Sequence, residues 1–296
     1  MPELPEVETI VCGLREKLKD LEFSEVEVRL KKCVRGSPRS LPGSLRGKRI
    51  LRVKRRGKNI IFHLSGGIAL RVHLGMTGRL RFMPAPRLPE KHTHVIFSFK
   101  NHPGQLRFVD QRQFGRLFVE QRGAGDDLVS LIHLGPEPLE ISAQEFIRRA
   151  RAKHRAIKPL LLDQEFLAGV GNIYADEALH RAQIHPLRRT KALPKNTLLR
   201  LYDRLRRILR AAIRAGGTSV RTYVDASGSP GGFQRFLRVY GREGEACLGC
   251  GTPIIRERVA GRSSFFCPRC QPPPRRKRGR SASPRKTRSP IGKSVA

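Results

Sequence analysis

The first six residues, Met-Pro-Glu-Leu-Pro-Glu, contain residue types that could form a covalent bond with a substrate. Removal of Met1, which a small second residue permits, would leave Pro2 as an N-terminal secondary amine. An amine that is partly unprotonated near neutral pH can attack a carbonyl-like carbon and form a Schiff base. Glu3 and Glu6 could then act as a general acid and as a substrate-binding carboxylate. The same glutamates would also suit an ordinary helix start, where the helix dipole favours acidic residues.

Four of the six cysteines follow the pattern C-x2-C-x16-C-x2-C, which is the spacing of a four-thiolate zinc ribbon. They are Cys247, Cys250, Cys267 and Cys270. Each C-x2-C pair encloses a tight turn that lets two thiolates point at one tetrahedral ion. Two disulfides are the alternative, but nothing in the sequence indicates secretion. Four thiolates leave no open coordination position, so we predict one structural Zn²⁺ per chain.

The charge of the chain predicts a polyanionic partner. It has 60 Lys and Arg against 25 Asp and Glu, a net charge of +35. Nine of the basic residues and no acidic ones lie in 272–296, so most of the excess belongs to the preceding sequence. Nucleic acid is favoured over a membrane surface, because no basic helix with a large apolar face stands out. With no apolar run of membrane-spanning length and no signal peptide, we expect a cytoplasmic protein.

Two loops contain side chains that could enter a DNA duplex. In His73–Gly78, Met76 lies between two glycines, and in Asp110–Gly115, Phe114 lies beside Arg112. DNA-bending proteins insert such apolar side chains between stacked bases. Two core side chains and a surface arginine are the alternative interpretation.

Two other short segments could bind phosphate. The turn Gly169–Asn172 could expose backbone N–H groups at the start of a helix, with the Asn172 side chain as a further donor and Lys158 nearby. For the basic turn Arg55–Lys58, phosphate contact and solubility fit equally well.

Hydrophobic periodicity predicts the elements that position these residues. An amphipathic helix is predicted over 3–19. Short strands at 25–30, 59–64, 69–74, 94–99 and 105–109, two of them joined by a hairpin at 65–67, favour a β-sandwich or flattened barrel. Helices follow at 142–152, 157–163, 172–182 and 196–215, the last starting at Asn196 or Thr197. The arginines of that last helix would form a solvated face or bind phosphate.

Together the motifs resemble the Fpg/Nei family, and specifically bacterial formamidopyrimidine-DNA glycosylases. The matching segments are MPELPEVET at 1–9, RRGK at 55–58, HLGMTG at 73–78, DQRQFG at 110–115, HLGPEPL at 133–139, AIKP at 156–159, GVGNIYA at 169–175, VYGR at 239–242 and the four cysteines. The matches run in order from residue 1 to about 271. The chain departs from the usual pattern at Gln111 and Gln113, where the family often has Pro and Arg.

The resemblance implies an α+β multidomain enzyme. Its expected parts are an N-terminal catalytic β-sandwich domain with an N-terminal helix (1–130), a linker (131–141), a helix–two-turn–helix DNA-binding domain (142–243) with a lesion-recognition loop (216–236), a zinc finger (244–271) and a disordered basic tail (272–296). Damaged double-stranded DNA would lie in the cleft between the domains. We expect a monomer without membrane association, located in the cytoplasm with the nucleoid, whose tail tethers it non-specifically to DNA.

The resemblance also implies a bifunctional glycosylase and AP lyase that removes oxidised purines, chiefly 8-oxoguanine opposite cytosine and formamidopyrimidines. Pro2 would attack C1′ of the damaged nucleotide, Glu3 would protonate the deoxyribose ring oxygen, and Glu6 would help to hold the nucleotide. β- and δ-elimination would then cut the strand on both sides.

The remaining site residues would contact DNA. Lys58, Asn172 and Arg262 would grip phosphates flanking the lesion, with His73 and Tyr240 as further contacts. Met76, Arg112 and Phe114 would fill the gap left by the flipped base, and Lys158 would assist lesion recognition. Glu177 and loop 216–236 are expected in the lesion pocket.

Two alternatives remain. An endonuclease VIII-like enzyme would act on oxidised pyrimidines, but Leu4 and the complete set of Met76, Arg112 and Phe114 are typical of the purine-specific branch. A non-catalytic DNA-binding zinc-ribbon protein would not need Pro2, Glu3 and Lys58 together.

Overall fold

The computed structural model describes residues 1–36, 40–84, 88–123, 128–220 and 223–274. The predicted tail falls largely outside these residues. The predicted N-terminal helix is present as α1 (Leu4–Leu18), whose apolar face is buried. Leu4 packs in the core of the C-terminal half, whereas Val7 to Leu18 pack in the core of the N-terminal half. The first turn of α1 therefore lies where the two halves meet.

The N-terminal half is a sandwich of two sheets, which confirms the prediction. Its strands are β1 (Phe23–Val28), β2 (Val34–Arg35), β3 (Ile50–Arg56), β4 (Asn59–Leu64), β5 (Ile68–His73), β6 (Arg79–Met83), β7 (Thr93–Phe99), β8 (His102–Val109) and β9 (Arg116–Gln121), with the short helix α2 (Ser40–Leu45) between β2 and β3. The strand orders are β1-β7-β8-β6 and β2-β9-β5-β4-β3. Both sheets bury apolar side chains in one core, and the predicted hairpin joins β4 to β5 as an antiparallel pair.

The C-terminal half is helical and ends in a small hairpin. Its elements are α3 (Ala143–Ala152), α4 (Ile157–Leu162), α5 (Asn172–Arg181), α6 (Lys195–Arg214) and the paired strands β10 (Ile255–Val259) and β11 (Arg262–Phe266). The predicted cap of α6 is wrong, because the residue at the cap position is Pro194, whose carbonyl accepts the N–H groups of Thr197 and Leu198. Proline has a fixed φ and no N–H, so it suits this boundary. No described helix has the length and apolar content needed to cross a membrane.

Glu137 joins the two halves. Its carboxylate accepts hydrogen bonds from Arg55 at 2.6 Å, from Arg56 at 3.1 Å and from the backbone N–H of Gly57 at 2.7 Å. Arg55 also binds Glu8 of α1 at 2.7 Å. Both arginines are therefore engaged in intramolecular ion pairs. These contacts fix the turn that carries Lys58.

Candidate active site

Two cavities meet at the N-terminus. The front cavity has a volume of about 370 Å³ and is lined by residues that include Pro2, Glu6, Met76, Arg112 and Tyr240. The rear cavity has a volume of about 390 Å³ and is lined by residues that include Lys58, His73 and Arg262. Met1 lines both cavities, and Pro2 is buried. Removal of Met1 would therefore place the Pro2 amine where the two cavities join.

Glu3 occupies the start of α5. Its carboxylate accepts the backbone N–H of Ile173 at 2.9 Å and that of Tyr174 at 3.4 Å. A Cβ atom at Gly171 would lie 2.2 Å from the Glu3 carboxyl carbon, so only glycine leaves room for this side chain. The turn 169–172 was predicted to offer these N–H groups to phosphate. That prediction is wrong for the N–H groups of Ile173 and Tyr174, because the Glu3 carboxylate already takes them.

The environment of Glu3 suits proton transfer. Burial raises the pKa of Glu3 above 4.5, and the nearby Lys58 ammonium and the two N–H donors oppose this shift. Burial likewise lowers the pKa of Lys58 below 10.5. A carboxyl group whose pKa lies above its usual value stays partly protonated closer to neutral pH, as a general acid requires.

Glu6 is held by groups from both halves of the protein. Its carboxylate accepts the Tyr174 hydroxyl at 2.5 Å, the Thr218 N–H at 2.8 Å and the Glu3 N–H at 2.8 Å. Burial, followed by the neighbouring Glu3, raises the pKa of Glu6 to about 7. Thr218 belongs to the loop 216–236, and Val220 and Tyr223 of this loop also line the front cavity. Glu6 therefore links the N-terminal residues to this loop.

The rear cavity presents cationic and hydrogen-bonding groups. The ammonium of Lys58 and the guanidinium of Arg262 form no hydrogen bond with any described residue. His73 Nδ1 accepts the Gly75 N–H at 3.2 Å, so the neutral ring carries its proton on Nε2. Burial, with Lys58 and Arg71 nearby, lowers the pKa of His73 to about 4, which keeps the ring neutral. Two cations and a neutral N–H donor are a suitable set for a phosphate diester.

The predicted wedge side chains are exposed and lie on adjacent loops. Met76 is 40% exposed and Phe114 is 50% exposed, and the Arg112 guanidinium lies 5.0 Å from the Phe114 ring centre. Both exposed fractions are high for large apolar side chains, so Met76 and Phe114 do not belong to the hydrophobic core.

Buried Asp110 positions these loops. Its carboxylate accepts the Thr77 hydroxyl at 2.5 Å, the Arg112 N–H at 3.3 Å and the Gly115 N–H at 2.7 Å. Sequence reasoning did not single out Asp110, because its function depends on contacts between loops. Gln113, at one of the two departures from the family pattern, has a φ of 59°.

The four finger cysteines form one cluster, as predicted. Their ligand atoms all lie within 4.8 Å of one another, and three Sγ–Sγ distances are 3.4, 3.5 and 3.9 Å. Zn–S bonds of about 2.3 Å in a tetrahedron place the sulfurs at similar separations. The cluster therefore fits one structural Zn²⁺. The β10–β11 hairpin between the two cysteine pairs carries Arg262 into the rear cavity.

Removal of zinc is expected to abolish excision without unfolding the β-sandwich. The finger core is small and consists mainly of cysteines, Val239 and Ile254, so it depends on the metal for stability. Loss of the finger would displace Arg262 from the rear cavity. Dialysis against a chelator, followed by excision assays and near-UV circular dichroism, would test this, and added Zn²⁺ should restore activity. Full activity in metal-free protein would contradict it.

Lys158 does not lie on the surface, and its part in lesion recognition stays a prediction. Its side chain is fully buried, and its ammonium lies 2.6 Å from Asp176 of α5. It also donates to the Ser263 carbonyl at 2.9 Å and to the Ser264 hydroxyl at 2.6 Å. Burial lowers the pKa of Lys158 and raises that of Asp176, while their mutual attraction opposes both shifts. The pair therefore fastens the finger hairpin to the helical domain.

Asn172 and Asp176 complete this connection. The Asn172 side-chain amide donates to the Ser263 carbonyl at 2.8 Å, and Asp176 accepts the Phe265 N–H at 3.0 Å. Asn172 is thus already bonded to the finger, and its contact with phosphate stays a prediction. The hairpin that carries Arg262 is held by three side chains of the helical domain.

Asp176→Asn is expected to destabilise the protein by about 3 kcal/mol, because it leaves the Lys158 charge buried without its partner. Glu245→Gln is the matched control, since it removes an exposed carboxylate that pairs with the half-buried Arg242 and should change stability by less than about 1 kcal/mol. Urea unfolding of both variants measures the difference. Equal stability would mean that the buried pair does not hold the finger.

Tyr240 lines the front cavity, and its aromatic ring packs against Phe265 of the finger with ring centres 5.1 Å apart. Glu177 is fully buried and accepts the N–H groups of Arg238, Val239 and Tyr240 at 2.8–3.0 Å. Glu177 is not among the residues that line the front cavity, so the expectation that it lies in the lesion pocket is wrong. Glu177 instead fixes the backbone that positions Tyr240.

Family models match three parts of the chain. The model described as formamidopyrimidine-DNA glycosylase N-terminal domain matches residues 1–117, and the formamidopyrimidine-DNA glycosylase H2TH domain matches residues 134–224. A zinc finger found in FPG and IleRS matches residues 244–273. The three models together cover most of the sequence.

Curated and solved relatives agree with these models. Formamidopyrimidine-DNA glycosylase of Pelotomaculum thermopropionicum is 48% identical over 274 residues, covering 92% of this chain and 99% of the relative. Two solved structures each align with 92% of this chain over their own full length. A complex between a Lactococcus lactis FPG mutant and DNA containing Fapy-dG has a TM-score of 0.84 at 36% identity. MutM in complex with DNA containing carbocyclic 8-oxo-G has a TM-score of 0.83 at 35% identity.

Proposed function

The chain belongs to the formamidopyrimidine-DNA glycosylase family, and we propose that it excises oxidised purines from double-stranded DNA through the amine of Pro2. The substrates would be formamidopyrimidines and 8-oxoguanine opposite cytosine. The enzyme would act as a monomer at the nucleoid. The observation that carries this proposal is that Pro2 lines the loop-lined front cavity, while Met1, whose removal would expose the Pro2 amine, also lines the cationic rear cavity.

The front cavity would receive the damaged nucleotide. A base in a duplex cannot expose its C1′ atom to a nucleophile, so the nucleotide must leave the stack at a cost of a few kcal/mol. Met76 and Phe114 would fill the vacated space, and the Arg112 guanidinium beside them would donate to the orphaned cytosine. Glu6 would hold the nucleotide together with the loop around Thr218.

The rear cavity would hold the phosphates that flank the lesion. Lys58 and Arg262 would neutralise the diester charges, and His73 would donate from Nε2. Because the pKa of Lys58 is lowered by burial, a bound phosphate would stabilise its charged form. This contact would fix C1′ relative to Pro2.

The reaction would then proceed through attack of the amine, loss of the base and two eliminations. Glu3 gives its proton to the ring oxygen as the C1′–O4′ bond breaks, and the Pro2 nitrogen bonds to C1′. The base leaves with the electrons of the glycosidic bond and takes up the proton that the Pro2 amine loses. The resulting iminium acidifies the C2′ hydrogen. Loss of that proton expels the 3′ phosphate by β-elimination, and a second, δ-elimination expels the 5′ phosphate.

Borohydride trapping on a duplex carrying 8-oxoguanine opposite cytosine tests this function. Reduction of the iminium would link protein and DNA irreversibly, and peptide mapping should locate the bond at Pro2. A duplex with undamaged guanine is the control and should give no adduct. Preferential trapping on an oxidised pyrimidine would instead indicate endonuclease VIII-like specificity.

A further inference from the structure

A third cavity lies on the helical domain. It has a volume of about 650 Å³ and is lined by one face of α6 and by Arg181 of α5, together with Ala215, Phe233, Phe236 and Arg238. Residues 204, 207, 208, 211 and 214 of α6 recur at spacings of three and four, so they share this face. None of the residues lining this cavity lines the front or the rear cavity. The surface is therefore separate from the catalytic site.

The rim of this arginine pocket carries unneutralised positive charge. Arg204, Arg207, Arg214 and Arg238 are exposed, and their side chains form no ion pair or hydrogen bond with any described residue. Arg181 is different, because its guanidinium pairs with Glu177. None of the described residues that line the pocket is acidic. Four free guanidinium groups around one cavity favour an anionic ligand that can accept paired hydrogen bonds.

The interior of the arginine pocket is apolar. Ile208 and Phe233 are buried, and Ala211 lies between the arginines of α6. Phe236 is 58% exposed, although its ring packs against Phe233 with centres 5.7 Å apart. An exposed aromatic ring in a concave pocket offers a contact for one bulky apolar side chain.

We propose that the arginine pocket binds an acidic segment of a partner protein that carries a bulky apolar side chain. The carboxylates would pair with the arginines of the rim, and the apolar side chain would pack against Phe236. A single nucleic-acid strand fits less well. Sites for such strands present several stacking rings along a groove, whereas this pocket has one exposed ring.

Fluorescence anisotropy with a labelled synthetic peptide tests the proposal. The peptide has six aspartates followed by leucine and phenylalanine, and the full chain is measured at about 0.15 M salt to screen long-range attraction. Arg204→Glu/Arg207→Glu should weaken binding by about tenfold or more, and Phe236→Ser should weaken it without changing the charge. A peptide whose leucine and phenylalanine are replaced by serine should also bind more weakly.

The matched control is Arg151→Glu/Arg210→Glu, which makes the same charge change at exposed arginines outside the pocket. This control should keep most of the peptide affinity, and both double variants should excise 8-oxoguanine at the unmodified rate. Equal losses in the two double variants would show a general charge effect and overturn the proposal. Weaker binding of single-stranded DNA by the pocket variant alone, with peptide binding unchanged, would assign the pocket to nucleic acid instead.

Discussion

Blocking the Pro2 amine is expected to abolish both base excision and strand cleavage. A chain with any residue before Pro2 has an amide nitrogen at this position, and an amide has no free electron pair for attack on C1′. A fusion protein that a protease cleaves directly before Pro2 provides the comparison. The excision activity of the same polypeptide can be measured before and after the amine is exposed. We expect excision by the uncleaved protein to be lower by at least about 10³-fold, as for the loss of a group that works in a catalytic unit. The borohydride adduct should form only after cleavage.

Binding measurements provide the control for this experiment. An uncleaved protein that still binds a duplex containing a stable abasic-site analogue would show that the cleft is intact and that only chemistry is lost. A short N-terminal extension could also obstruct the cavities sterically, so acetylation of the cleaved Pro2 amine serves as a smaller block. Trapping that persists in the acetylated protein would contradict the proposed nucleophile and would favour a lysine such as Lys58.

Local sequence signals were sufficient for the features that depend on neighbouring residues. The period of apolar residues located α1, and the C-x2-C pairs located the zinc finger, because both patterns are set by contacts within a short segment. The glycines beside Met76 likewise indicated an exposed loop. In each case the physical constraint and the residues that satisfy it lie close together in the chain.

The features that sequence reasoning missed depend on contacts between distant segments. Lys158 has the type and position of a phosphate ligand, yet it is buried against Asp176 and the finger hairpin, which is more than 100 residues away. The N–H groups after Gly171 suit an anion, but that anion is the carboxylate of Glu3. Packing within the C-terminal half pairs Lys158 with Asp176, and packing between the two halves brings Glu3 to these N–H groups.

Glu3→Gln is expected to reduce 8-oxoguanine excision by about 10²- to 10⁴-fold, the usual contribution of a general acid. The amide keeps the shape of the carboxyl group and an oxygen that can accept the Ile173 N–H, so the fold and DNA binding should persist. Cleavage of a preformed abasic site should fall much less, because its free aldehyde reacts with Pro2 without departure of a base. Glu16→Gln, at an exposed position of α1, is the matched control and should be fully active.

The pH dependence of excision separates a catalytic effect from a structural one. Glu3 must be protonated to donate, so kcat/KM should fall as pH rises through the pKa of Glu3. Because burial raises that pKa, the decline should begin above the range of an ordinary glutamate. A glutamine does not titrate, so the residual activity of Glu3→Gln should lack this decline, whereas Glu16→Gln should retain it. A Glu3→Gln profile parallel to that of the unmodified protein would mean that another group supplies the proton, and Glu6, with a pKa of about 7, would be the candidate.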